Sequence, residues 1–179
     1  MALLVSCSTT SLTEGKIDSL LASAESLPLS EAVTYYSKLY TTYPFEEKIG
    51  YNYALLLAES GHIDDSLEIL QAMDEYFDHR HIRVLKAIGS LAVESEKNEL
   101  AVASWHTLLE VDPLDDTSRQ LLIDYYTEKE LYEQAYELAY EKVELQQYSA
   151  SSLKTLASLE QLSEKGDGKK WLLLADSLN

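Results

Sequence analysis

Residues 82 to 113 read IRVLKAIGSLAVESEKNELAVASWHTLLEVDP. Ile82, Leu85, Ile88, Gly89 and Ala92 recur at three- and four-residue spacing, so they lie on one stripe of a helix. A second helical stretch carries Ala101 and Trp105 four residues apart, and Asp112-Pro113 closes it. Proline has no N–H, and its ring clashes with the preceding turn. Glu96 takes the loop position between the two. The stretch is a helix, a short loop and a second helix, with small residues (Gly89 on the first, Ala101 on the second) that let backbones approach closely.

The same register extends in both directions. Ala32, Ser66, Ala101 and Ala135 follow one another at spacings of 34, 35 and 34. Twelve residues before each stand Leu20, Ala54, Gly89 and Ile123, and the next such step lands on Ala157. Loop positions fall at Leu27, Gly61, Glu96 and Glu130, and Tyr43-Pro44 ends one second helix as Asp112-Pro113 ends another. The extra residue between the second and third units falls near Asp74–His81. Tyr132, Ala135, Tyr136, Ala139, Tyr140 and Val143 form another stripe, and its tyrosine ladder reads as a buried helix face rather than a ligand slot. Each helix has one apolar face, and a single pair cannot bury both. Stacked pairs can.

These residues resemble the tetratricopeptide repeat family. Its small residue, aromatic four later and closing proline are met by Ala32/Tyr36/Pro44 and by Ala101/Trp105/Pro113. Ile88-Gly89 and Tyr132-Glu133-Gln134-Ala135 fit the same pattern. The resemblance implies an all-α tetratricopeptide-repeat α-solenoid of antiparallel helix pairs. Four pairs are expected over 13–46, 47–81, 82–115 and 116–149, after a tether over 1–12. Residues 150–179 read as capping helices: Leu153, Leu156, Leu159 and Leu162 give one face, and Gly166-Asp167-Gly168 breaks it before Lys169–Leu178.

Composition narrows the functions. Fourteen basic against 31 acidic side chains leave a net charge of −17, which opposes binding to nucleic acid or to anionic lipid. The scarcity of Gly and Pro, six and three residues, argues against a turn-rich β protein. The longest apolar runs are five residues, too short to span a bilayer as a helix. There is no G-x-S-x-G, no H-E-x-x-H and no phosphate-cradling glycine loop, so the chain reads as noncatalytic, with no cofactor. His62, His79, His81 and His106 are not spaced as ligands on one helix face. Asp78 with His79 and His81 reads as an ordinary solvated junction, and no metal is expected.

The lone cysteine closes Leu4-Val5-Ser6-Cys7 ahead of Ser8-Thr9-Thr10-Ser11. The string resembles a bacterial lipobox, which implies lipidation of Cys7 and a protein tethered in the cell envelope, facing the periplasm or the exterior. A cytoplasmic adaptor or co-chaperone is the alternative, and a carrier of a small apolar ligand a further one. In tetratricopeptide arrays the first helices line the groove where a partner protein or peptide binds. The resemblance therefore implies a groove of Lys48, Tyr51, Asn52 and Leu55, then Arg83, Lys86 and Ser90, then Thr117, Gln120 and Asp124. Three of only fourteen cations converge there, so an acidic or carboxylate-ended partner is expected. Asn52 and Arg83 match places in the carboxylate clamp of the family's chaperone-binding members, whereas Ile17, Leu21 and Ala87 occupy the remaining places. Trp171, Leu172, Leu174 and Leu178 complete the core or offer a second interface through which the chain forms a homo-oligomer.

Overall fold

The computed structural model describes residues 12–178; Cys7 and the lipobox string lie outside them. Among the described residues the chain forms ten α-helices and no strand. They are α1 (Glu14–Ala22), α2 (Leu29–Thr42), α3 (Glu47–Glu59), α4 (Ile63–Tyr76), α5 (Ile82–Glu94), α6 (Asn98–Val111), α7 (Asp116–Glu128), α8 (Tyr132–Glu144), α9 (Ala150–Leu162) and α10 (Lys169–Asp176). Helices α3 with α4, α5 with α6, α7 with α8 and α9 with α10 form the most extensive contacts, and further contacts join α2 to α3, α6 to α7 and α8 to α9. The chain divides into two compact units between Tyr76 and Phe77, so α1–α4 belong to one and α5–α10 to the other. The division falls where the repeat spacing lengthens from 34 to 35, and Asp78 and His79 there adopt positive φ of 52° and 57°. No helix of the described residues is long and apolar enough to cross a membrane.

Five helices stop in the same way. Gly61, Glu96, Glu130, Gln146 and Glu164 all sit in the left-handed region just past a helix end. The next N–H then reaches back to a carbonyl of the last turn: His62 to Leu57 at 2.8 Å, Lys97 to Ala92 at 2.7 Å, Leu131 to Tyr126 at 2.8 Å, Gln147 to Lys142 at 2.8 Å and Lys165 to Glu160 at 3.0 Å. This closure satisfies carbonyls that the helix leaves without partners. Glycine alone takes the left-handed region without steric cost, yet four of the five positions carry a side chain.

Packing follows the apolar stripes. In the first unit Ala24, Tyr36 and Ile49 form a small core, and the buried Ser66 hydroxyl of α4 donates to the Ala54 carbonyl of α3 at 2.6 Å. In the second unit one core runs from Ala92 through Trp105, Leu122, Ile123, Tyr136, Leu153 and Leu156 to Trp171 and Ala175. Gly89 permits a close approach of α5 to Trp105 of α6: a Cβ on it would lie 2.6 Å from the indole nitrogen. Tyr132 and Tyr140 pack at the margin of this core, with Tyr136 buried inside it.

The stripes differ from the sequence reading at three places. Ile82 is exposed, because α5 turns Val84, Leu85, Ile88 and Leu91 inward instead. Leu162 is also exposed, and its expected place on the inner face of α9 is taken by Glu160. Trp171 is buried and Leu174 packs against the core, so neither belongs to an exposed interface; Leu172, Leu173 and Leu178 are the apolar residues that α10 and its end leave at the surface.

Candidate functional site

The predicted groove residues of the second unit lie on α5 and α7. Arg83, Lys86 and Ser90 recur along one exposed side of α5. The Lys86 ammonium reaches the start of α7, where it meets the buried carboxylate of Asp115 at 3.2 Å. Asp115 is held in turn by the Ser118 hydroxyl at 3.2 Å. One residue on, Asp116 pairs at 2.8 Å with Lys142, a buried lysine arriving from α8. The Lys142 ammonium also donates to the Gln120 side-chain oxygen at 3.3 Å, and Gln120 donates to Asp124 at 2.9 Å. A polar ladder thus runs up α7 from its first turn, with Lys142 of α8 bridging Asp116 and Gln120. Two aspartates at that turn are well placed, because a helix N-terminus carries partial positive charge.

The first unit uses its predicted residues locally. Lys48, at the start of α3, bonds Asp18 at 2.9 Å and Glu14 at 3.5 Å, both on α1. These bonds hold the Lys48 pKa above its ordinary value, the Asp18 hydrogen bond contributing most. The Asn52 amide donates back to the Lys48 carbonyl at 2.7 Å. Asn52 and Leu55 line an open cleft of about 340 Å³ with Leu21, Leu27, Tyr36 and Leu56. Tyr51 is half-buried and Leu55 exposed. The structure therefore brings carboxylates to Lys48 and to Lys86, both of which sequence placed on the groove floor.

Sequence reasoning missed the buried Asp115 and three further buried charged side chains, Arg119, Lys142 and Glu160. The latter three stand at core-stripe positions, Arg119 with Leu122 and Ile123, Lys142 with Ala135 and Ala139, Glu160 with Leu153, Leu156 and Ala157. A charged letter at stripe spacing was the available signal. Arg119, only 2% exposed, donates from Nη2 to the Pro113 carbonyl at 2.7 Å, and its Nε lies 3.5 Å from a Glu141 oxygen. Among the described residues no group of three or more His, Cys, Asp or Glu side chains could hold a metal ion.

No protein-family model matches the chain, and no curated protein matches it. Solved structures do. MamA AMB-1 is 17% identical over 90% of this chain and 88% of its own, with a TM-score of 0.63. MamA 41-end from Desulfovibrio magneticus RS-1 is 15% identical over 90% of this chain and 92% of its own, at 0.58. A tetratricopeptide repeat protein from Parabacteroides merdae is 16% identical over 84% of this chain and 59% of its own, at 0.53. At such identities the likeness is one of fold, and the chain has the all-α fold of a tetratricopeptide-repeat solenoid.

Proposed function

We propose that the chain is a noncatalytic scaffold that binds a partner protein through the first-helix face of its second unit. The observation that carries this is the exposed row Arg83, Lys86 and Ser90 on α5, linked through Lys86 and Asp115 to the polar ladder of α7. The Lys86 ammonium has three donors and is half exposed, so it can accept a ligand carboxylate without releasing Asp115. An acidic, carboxylate-ended segment fits that row, while the −17 charge of the chain disfavours acidic partners elsewhere. A peptide rich in Glu with a free C-terminus, titrated calorimetrically, should bind more tightly than its C-terminal amide. Arg83→Glu/Lys86→Glu should weaken it by about 1–2 kcal/mol, the scale of partly exposed ion pairs, and added salt should weaken it further. Unchanged affinity in that variant removes the site from α5.

The lipobox resemblance supports attachment of this scaffold to a bacterial envelope membrane through acyl chains on Cys7. Anchoring needs more than one chain, since a single one binds only marginally. In the native cell, Cys7→Ala should move the protein from the detergent phase to the soluble fraction, and an unmodified Cys7 thiol by mass spectrometry refutes the anchor. The apolar cleft of the first unit supports a second reading, a carrier of a small apolar ligand. A fluorescent apolar probe displaced by Leu55→Glu tests it.

A further inference from the structure

A second surface of the second unit has opposite chemistry. An open cleft of about 670 Å³ lies between α6 and α8, with α7 contributing Arg119 and Tyr126. Leu109, Leu138 and Leu145 give it an apolar lining, and Glu110, Glu141 and Glu144 give it negative charge. Among the described residues neither Glu110 nor Glu144 has an ion pair. The guanidinium of Arg119 sits in the wall: Pro113 and Glu141, which flank it, both line the cleft. Its Nε and Nη1 are buried and have no hydrogen-bond partner. Leaving such donors unsatisfied is costly, so a group that supplies an acceptor gains what the free protein lacks. Glu141, whose carboxylate lies 3.5 Å from Nε, has a half-exposed side chain that can swing aside.

We infer that this cleft binds an extended, basic peptide segment, whose backbone carbonyl accepts from Arg119 and whose Lys or Arg side chains pair with Glu110 and Glu144. The three requirements select this class together. An anion would satisfy Arg119 but meet the glutamates. A polyamine would satisfy the glutamates but offers Arg119 no acceptor and the leucines little apolar surface. A peptide with alternating cationic and apolar side chains presents all three groups at strand spacing, with successive side chains on opposite sides. The site is independent of the α5 face, since the two share no residue and want opposite charge.

The test uses the full chain and a capped hexapeptide alternating Lys and Leu, acetylated and amidated so that only backbone carbonyls can serve Arg119. Saturable one-to-one binding is expected, together with a shift of the Arg119 Nε–H signal in ¹⁵N NMR spectra. Glu110→Gln/Glu144→Gln should weaken binding about three- to tenfold, the scale of two partly exposed ion pairs. Spermidine at equal charge should bind more weakly and leave the Arg119 signal in place. Absence of saturable binding, an unmoved Arg119 signal, equal binding of spermidine, or tighter binding of the corresponding Glu/Leu peptide each overturns the inference. The NMR readout on the wild-type chain carries the Arg119 arm without a variant that must refold around a removed buried charge.

Discussion

Gly89 illustrates how one missing side chain sets a helix separation. Replacing an exposed helical glycine by alanine ordinarily stabilises by about 1 kcal/mol through backbone entropy. Here the added methyl would lie 2.6 Å from Nε1 and 3.0 Å from Cδ1 of Trp105, a rigid ring within the core. Overpacking outweighs propensity, and Gly89→Ala should lower stability by roughly 1–3 kcal/mol in urea unfolding. Gly50→Ala is the comparison: its methyl meets the Met73 sulfur at 2.8 Å, and a flexible thioether can move. A smaller loss is expected there. The left-handed closures behave in the opposite sense. Glu96 and Glu130 hold φ of 59° with a Cβ in place, so Glu130→Gly should stabilise by roughly 0.5–1 kcal/mol, although glycine in a helix interior does the reverse. A Tm that falls on that substitution would show that the Glu130 side chain contributes more than its backbone strain costs.

The connection from α9 to α10 depends on one carboxylate. Glu160 accepts from the Gly168 N–H at 2.9 Å and from the Lys170 ammonium at 3.0 Å, while its backbone carbonyl accepts from the Lys165 and Gly166 N–H groups. Gly168 itself has a positive φ of 68°, and a Cβ there would fall 2.5 Å from the Ala157 carbonyl oxygen, so no other residue fits. Burial would raise the Glu160 pKa, but the Lys170 and Gly168 bonds outweigh it and leave the group below its ordinary value. A carboxylate depressed on folding stabilises fully above its unfolded pKa, and that stabilisation is lost as pH falls through the folded one. Stability should therefore decline below about pH 4.5, and Glu160→Gln should lower it at neutral pH while flattening the acid limb. A variant whose acid limb matches wild type removes Glu160 from the linkage. The same residue marks the limit of what periodicity conveys. Stripes such as Leu85, Ile88 and Ala92 were legible because burial is what apolar letters record. Glu160, Lys142 and Arg119 share that spacing but are buried through partners, Lys170 and Gly168, Asp116 and Gln120, Pro113 and Glu141, that lie on other helices or loops. Sequence pattern contains no term for those partners, which is why the α7 ladder and the acidic cleft came only from the structure.

Each unit of the molecule has its own core, and the two are unequal. Among the described residues the first buries Tyr36, Ile49, Leu57, Leu67, Leu70 and Met73 with four smaller or marginal neighbours, Ile17, Ala24, Ala32 and Ala54. The second buries a continuous set from Ala92 to Ala175, including both tryptophans of the chain, Trp105 and Trp171. The 34-to-35 change in spacing was visible in the sequence, but a one-residue shift does not reveal where a core ends, because that depends on which helices touch. Hydrophobic stabilisation scales with apolar area removed from water, so the larger core should sustain folding without the smaller. A fragment of residues 77–179 should unfold cooperatively, with tryptophan fluorescence and circular dichroism giving one midpoint. Ending that fragment at residue 149 removes Leu153, Leu156, Leu159 and Trp171, all buried in this core, and uncovers their partners on α8. Losing four buried large side chains is comparable with the whole stability of an ordinary domain, since each is worth about 1.5–3 kcal/mol against a total of about 5–15 kcal/mol. The shorter fragment should therefore lose its cooperative transition and bind a hydrophobic dye. If it unfolds with the same midpoint as 77–179, α9 and α10 are an appendage and the core of the second unit closes at α8.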